Sequence, residues 1–292
     1  MKVRIKFSKY GVVKFIGHLD VMRYFQKANR RAGIDVAYSQ GFNPHQIMSF
    51  AAPLGVGLTS DGEYVDVDFN VVQSEEAIVE SLNAVMNEGF AVIEAKILRD
   101  PLPNQKRETA MSLVAAADYL VSLKDGYELK TESGQILDKD EFHKLFTEFY
   151  HQSQIVINKK TKKSEKEMDI RPYIFLYGRT EEEFLFAGKD LKITNTVNGI
   201  EHADTYENGI RLLLCLATGS VINIKPELVM EAFCEKYDIK FEAFAFQYHR
   251  IETYANVADH GKTIEEMIQA VEQKETYALK LDPLGKVGVI KG

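Results

Sequence analysis

At 292 residues the chain is long enough for about two domains, taking roughly 100–200 residues per domain, and its 45% hydrophobic and 27% charged residues are those of a folded globular protein. Two cysteines, Cys215 and Cys234, exclude a four-thiolate zinc site and a cysteine-held iron–sulfur cluster; there is no run long enough for a membrane span and no signal-peptide core after Lys2, so a cytoplasmic protein with reduced thiols is expected. The net charge of −7 hides an asymmetry: residues 1–31 carry +8 and the remainder −15, the split expected when one surface meets a polyanion.

In chain order, residues 2–8 alternate basic and apolar side chains, which predicts a half-buried strand with Lys2, Arg4 and Lys6 on a basic outer face. Residues 18–32 read as a helix with Phe25, Ala28 and Ala32 on its apolar side and Gly33 as its stop. Arg23, Lys27, Arg30 and Arg31 recur at i, i+4, i+7 and i+8 and form one basic stripe. The helix dipole accounts for Arg30 and Arg31 in the last turn but not for Arg23. A turn follows at Tyr38-Ser39-Gln40-Gly41-Phe42-Asn43-Pro44-His45, then a strand over 46–52 and a glycine-rich loop over 53–62. A strand over 63–69, a helix from Ser74 to about Met86 with Ser74 as its N-cap, and a strand over 90–97 close the first half.

Two prolines and no periodicity mark a linker at 99–111. Beyond it, strands are predicted over 113–123, 155–158 and 170–177, with a helix over 139–150. Lys159, Lys160, Lys162, Lys163 and Lys166 form a lysine-rich loop between the second and third of these strands. Residues 184–187 and 191–196 read as an inserted β segment, 210–217 as a buried strand, 226–236 as a helix with Pro226 in its first turn, and 241–246 as a strand. The fold class is α+β: two ferredoxin-like β-α-β-β-α-β halves at 1–98 and 112–250, the second with the inserted β segment. A weak repeat relates the helix after Ser74 to the helix after Lys225, each leading into an aromatic-started strand. The tail over 251–292 is expected to hold one short helix at 263–273 and to pack loosely.

There is no nucleophile elbow, phosphate-binding P-loop or H-E-x-x-H helix. The glycines at 55 and 57 are a weak phosphate-cradle signal, because no helix follows them directly. His18 and Asp20 stand at a helix N-terminus, where the dipole alone explains the carboxylate. Phe42 either plugs the core or is displayed beside Asn43 and His45. Asp169 and Arg171 either pair with each other or leave Arg171 free to fork onto phosphate.

These motifs carry a resemblance. His18-Leu19-Asp20, Arg23, Arg30-Arg31-Ala32-Gly33, the Tyr38-to-His45 turn, Ser49-Phe50-Ala51, Pro53-Leu54 and Gly57 are similar to the radical-SAM-linked family known as domain of unknown function 2344. Lys162-Lys163, Asp169-Ile170-Arg171-Pro172 and Lys225-Pro226-Glu227 extend the likeness, which covers about residues 1–250. The resemblance implies partnership with a radical SAM enzyme of the cobalamin-binding type and supplies no reaction of its own. Lacking a cysteine triplet, this chain cannot hold that enzyme's cluster, and no cofactor is expected in it.

The expected function is that of a non-catalytic RNA-binding partner in tRNA or rRNA modification. Arg23, Lys27, Arg30, Arg31, Lys159, Lys160, Lys162, Lys163 and Arg171 would meet phosphates; Tyr38 or Phe42 would stack on a base, with Asn43 and His45 on its edge. The alternatives are metal-independent RNA cleavage with His18 and His45 as acid and base, and a protein–protein adaptor that makes no RNA contact.

Overall fold

The alternation at the N-terminus does form a strand, β1 (Lys2–Lys9). Its apolar residues Val3, Ile5 and Phe7 enter a core with Val21, Phe25 and Ala28 of α1 (His18–Arg31) and with Ile78 and Leu82 of α2 (Glu75–Asn83). Between the helices lie β2 (Met48–Phe50) and β3 (Thr59–Asp68), and β4 (Phe90–Ile97) follows α2. The Ser74 side chain accepts a hydrogen bond from the Ala77 N–H and caps α2 as its position predicts. The computed structural model describes residues 1–100, 108–160, 165–220, 222–258 and 279–289.

A short helix, α3 (Ala110–Leu113), leads into β5 (Val114–Leu123), α4 (Lys139–Tyr150) and a separate hairpin of β6 (Val156–Lys160) and β7 (Glu165–Asp169). Then come β8 (Ile174–Gly178), α5 (Glu181–Asp190), β9 (Arg211–Ala217), α6 (Pro226–Lys236), β10 (Phe246–Asn256) and β11 (Leu281–Pro283). The chain is thus α+β, with one large, mostly antiparallel sheet. Strand order is β4-β1-β3-β10-β5-β9-β8, with β2 paired to β3 and β11 to β10. The two regions are connectivity copies: β4-β1-β3-β2 in the first matches β10-β5-β9-β8 in the second, and all pairings within each are antiparallel. Helices α4 and α6 cover the second copy through Phe142, Phe146, Phe149, Val229 and Phe233.

The copies join where β10 runs parallel to β3, with His249 opposite Thr59 and Arg250 opposite Ser60. Gly62 lies on this seam. A Cβ there would stand 2.5 Å from the Glu252 Cα and 2.8 Å from the Ile251 carbonyl oxygen, so only glycine fits. Gly62→Ala is expected to force the strands apart and cost about 1–3 kcal/mol, read from the urea midpoint.

Several expectations are corrected. The charged face of β1 is not a solvent surface. Arg4 is 2% exposed and pairs with Asp66, Lys2 pairs with Asp68, and Lys6 meets Glu252 at 2.7 Å. The acids on β3 and β10 neutralise it, and the segment after β11 covers it: the Arg4 Nη1 donates to the Leu284 and Val287 carbonyls. The inserted segment at 184–187 is helix α5, started by the Thr180 cap and three glutamates in its first turn. Within 191–196, Ile193 makes a single bridge to Leu281. The last long strand begins at Phe246 instead of 241 and runs to Asn256 in the middle of the sheet. The described parts of the tail, 251–258 and 279–289, are therefore no loose appendage, for Ile251, Tyr254, Leu281 and Leu284 are fully buried. The helix predicted at 263–273 and most of the linker (101–107) lie outside the described residues. Among the described residues no helix is long and apolar enough to cross a membrane.

Candidate nucleic-acid interface

Helix α1 buries Val21, Phe25 and Ala28, and its helical period turns Arg23, Lys27, Arg30 and Arg31 outward, all exposed. Arg23 makes one exposed ion pair, 3.2 Å to Asp20, which water screens to little energetic consequence. Lys27 has no ion pair among the described residues. Arg31 lies across the Tyr24 ring and donates to the Val85 carbonyl at 3.0 Å, so it is held against the fold more than its neighbours are.

The Tyr38-to-His45 turn is the tip of a ribbon projecting from the sheet beside α1. Ala37 and Ile47 pair through their backbones, and Tyr38 bridges Gln46. Ser39 closes the loop twice over: its N–H donates to the His45 carbonyl, and its hydroxyl oxygen accepts from the His45 N–H at 3.1 Å. The same hydroxyl lies 2.9 Å from His45 Nδ1, while Nε2 of this exposed residue has no hydrogen-bond partner among the described residues. Gly41 turns the tip at φ +116, a conformation side chains rarely adopt. Phe42 does not plug the core. Its relative exposure is 112%, the highest of the large apolar residues among those described, and Tyr38 is 46% exposed.

Ribbon and helix are coupled through one carbonyl. Gln26 O accepts from Arg30 Nε at 3.2 Å and from Gln46 Nε2 at 3.1 Å, and Gln46 also donates to the Tyr38 hydroxyl. Behind this contact the fully buried Asn29 donates to Gln46 Oε1 at 3.0 Å. Tyr38, Gln46 and Arg30 are therefore held as one unit, with Phe42, Asn43 and His45 exposed on the loop beyond it.

The other predicted residues fall elsewhere. The His18 ring is half-buried, edge-on to Phe50 at 5.1 Å, while His45 is bound to Ser39; the two have separate partners. Arg171 stacks over Tyr150 at 4.2 Å and donates to the Ile174 carbonyl, and Asp169 accepts from the backbone of Ile155 and Arg171. The Arg171 guanidinium thus serves the local fold, and no Asp169–Arg171 ion pair forms between the side chains. Lys159 and Lys160 end strand β6, whereas Lys162 and Lys163 lie outside the described residues.

Sequence reasoning missed a polar cluster at the seam. Asp61, 2% exposed, accepts from His202 Nδ1 at 2.6 Å and from the His202 N–H, with His249 Nε2 at 3.3 Å. Burial alone would raise the Asp61 carboxyl, yet the hydrogen bonds from His249 and His202 hold it below its usual range. Tyr10 stacks on the His202 ring at 3.9 Å, and His249 is fixed by Thr59 and the Gly199 carbonyl. Nearby Lys9 is pushed below the usual lysine range by burial, partly offset by Glu63, and its ammonium donates to the Ile16 carbonyl at 3.0 Å. The cluster clamps the segment around residue 202 onto the β3–β10 seam. Asp61 and His202 are separated by 141 residues, and no local pattern announces their contact.

None of the curated proteins searched matches the chain. A family model does match, over residues 2–226, described as "Uncharacterized protein conserved in bacteria (DUF2344)". That match spans most of the chain and includes α1, the Tyr38-to-His45 ribbon and the Asp61–His202 pair, while β10 with His249 lies beyond it; the chain belongs to this family.

Proposed function

We propose that the chain is a non-catalytic, cytoplasmic RNA-binding protein that presents tRNA or rRNA to a radical SAM enzyme of the cobalamin-binding type. Each half is read as ferredoxin-like, a domain type that takes RNA in several unrelated settings, an argument by analogy. The observation that carries the reading is the coupling at Gln26: exposed cations of α1 and an exposed aromatic ribbon are fastened into one surface. Cations that are exposed, with at most a water-screened ion pair such as Arg23–Asp20, suit phosphate, and an exposed aromatic such as Phe42 suits a base. The pairing of Lys2, Arg4 and Lys6 within the fold takes β1 out of the polyanion surface and leaves α1 and the ribbon to supply it in the N-terminal half.

The test is binding of purified protein to bulk tRNA and rRNA fragments across a salt series. The wild type is compared with the quadruple variant Arg23→Ala, Lys27→Ala, Arg30→Ala, Arg31→Ala. Wild-type affinity should fall steeply with salt. The variant should lose most low-salt affinity, its log–log slope shallower by about 0.7–0.9 per phosphate contact removed. Unchanged binding by the variant would move the interface off α1. No binding at low salt would sink the RNA reading and favour an adaptor that meets only protein.

A further inference from the structure

The shape of the ribbon narrows the class of RNA. We infer that this surface takes unpaired nucleotides, a single strand or the loop of a hairpin, with Phe42 as the platform on which one base stacks. The inference rests on the RNA-binding reading above and goes beyond it, because exposed cations alone accept single and double strands alike.

Three features of the ribbon carry it. First, the Phe42 ring is entirely in solvent at the end of a projecting loop, so both of its faces are open to an aromatic partner. Burying such a ring against another ring is favourable, and every base offers a π face whatever its identity. Second, the ring is displayed by a stiff support. The Ser39–His45 bonds and the Tyr38–Gln46 bridge tie the ends of the loop together before any ligand arrives, which lowers the ordering cost of binding. Third, the groups beside the ring are hydrogen-bonding ones. Asn43 is exposed, and His45 directs Nδ1 to Ser39 and leaves Nε2 open, the kind of groups that meet a base edge once that edge is free of its pairing partner.

A duplex cannot use this arrangement. In A-form RNA each base is stacked above and below and paired at its edge, and the major groove is too deep and narrow for side chains to read. Phe42 held against a duplex would meet backbone and sugar, leaving its apolar surface without a partner. A splayed loop supplies the free base face, while its phosphates run on to Arg30, Lys27 and Arg23. These are spaced along one side of α1 and reached from the ribbon through the shared Gln26 carbonyl.

The experiment uses the full chain and three labelled probes: a short oligouridylate, the same strand annealed to its oligoadenylate complement, and a hairpin with a G·C stem and a uridine loop. Each is titrated against wild type, Phe42→Ala and the α1 quadruple variant. Wild type should prefer the single strand and hairpin over the duplex by about tenfold or more, the scale of one base–aromatic stack. Phe42→Ala should erase that preference and leave the salt slope unchanged, since it removes no phosphate contact. As Phe42 touches no core residue, the variant should melt with wild type, which separates lost stacking from lost fold. Equal affinity for all three probes, with Phe42→Ala silent, would overturn the inference and leave the RNA reading standing. Failure of every probe and of bulk tRNA and rRNA to bind would overturn that reading and the inference with it.

Discussion

Asp66→Ala should destabilise the fold by about 3–5 kcal/mol, the usual consequence of leaving a buried charge without its partner. Asp66 accepts from Arg4 Nε at 2.8 Å and from Arg4 Nη2 at 3.1 Å, and its Oδ2 also takes the Ala110 N–H at 2.7 Å. One carboxylate thereby ties β1 and β3 to the start of α3, while the remaining Arg4 nitrogen holds the segment after β11. Removing it strands a guanidinium that is 2% exposed and orphans a buried backbone N–H. Replacing both partners by apolar residues of similar size (Arg4→Met with Asp66→Leu) should cost much less than the single change, because no charge remains to be desolvated. Urea midpoints of the single and double variants decide the matter: a loss below about 1 kcal/mol for Asp66→Ala would mean that Arg4 finds water or another acid.

Stability should also depend on pH through Asp118. This residue of β5 is fully buried, and burial pushes its carboxyl up to about 7 against the hydrogen bonds from Tyr254 and Cys215 that hold it down, with Glu252 adding to the rise. The Tyr254 hydroxyl donates to it at 2.6 Å. Below the unfolded carboxyl value near 4, both states carry the proton and the group contributes nothing to the balance. Between about 4 and 7 the folded state retains a proton that the unfolded state has released, so stability falls as pH rises through this window and levels off above it. At about 1.4 kcal/mol per pH unit the accumulated loss is roughly 4 kcal/mol. Asp118→Asn keeps an acceptor for Tyr254 and cannot ionise. It should match wild type near pH 4 and exceed it by a few kcal/mol at pH 8, in denaturant titrations across that range. Parallel pH profiles for the two proteins would show that Asp118 is ionised in the folded state at all those pH values.

What could be read from the sequence is what depends on near neighbours. The helical spacing of Phe25 and Ala28, the Ser74 cap and Pro226 in the first turn of α6 are local signals, and those elements stand where they were expected. The exposed stripe of α1 was legible for the same reason. Helix α5 was misread because Phe184 and Phe186 alternate, a two-residue period that masks the Thr180 cap and the glutamates after it. The charges of β1 were misassigned because their partners, Asp66, Asp68 and Glu252, lie 62 to 246 residues away and only the sheet brings them near. The Asp61–His202 contact and the central position of β10 are invisible for the same cause. The turn at Tyr38 to His45 could be located but not oriented, since nothing in Gly-Phe-Asn-Pro says whether the ring points inward or out.

The position of β10 also bears on how the protein is made. A chain leaving the ribosome forms β1 through β4 early and β5, β8 and β9 later, yet the strand between β3 and β5 is the last long one to emerge. Until residue 256 is free, β5 and the start of β3, which β2 does not reach, present bare backbone edges, each a template for pairing with a neighbouring nascent chain. Stalled or prematurely terminated products of this gene would thus be more prone to aggregate than the finished protein, and holding chaperones would meet this chain before its sheet is closed.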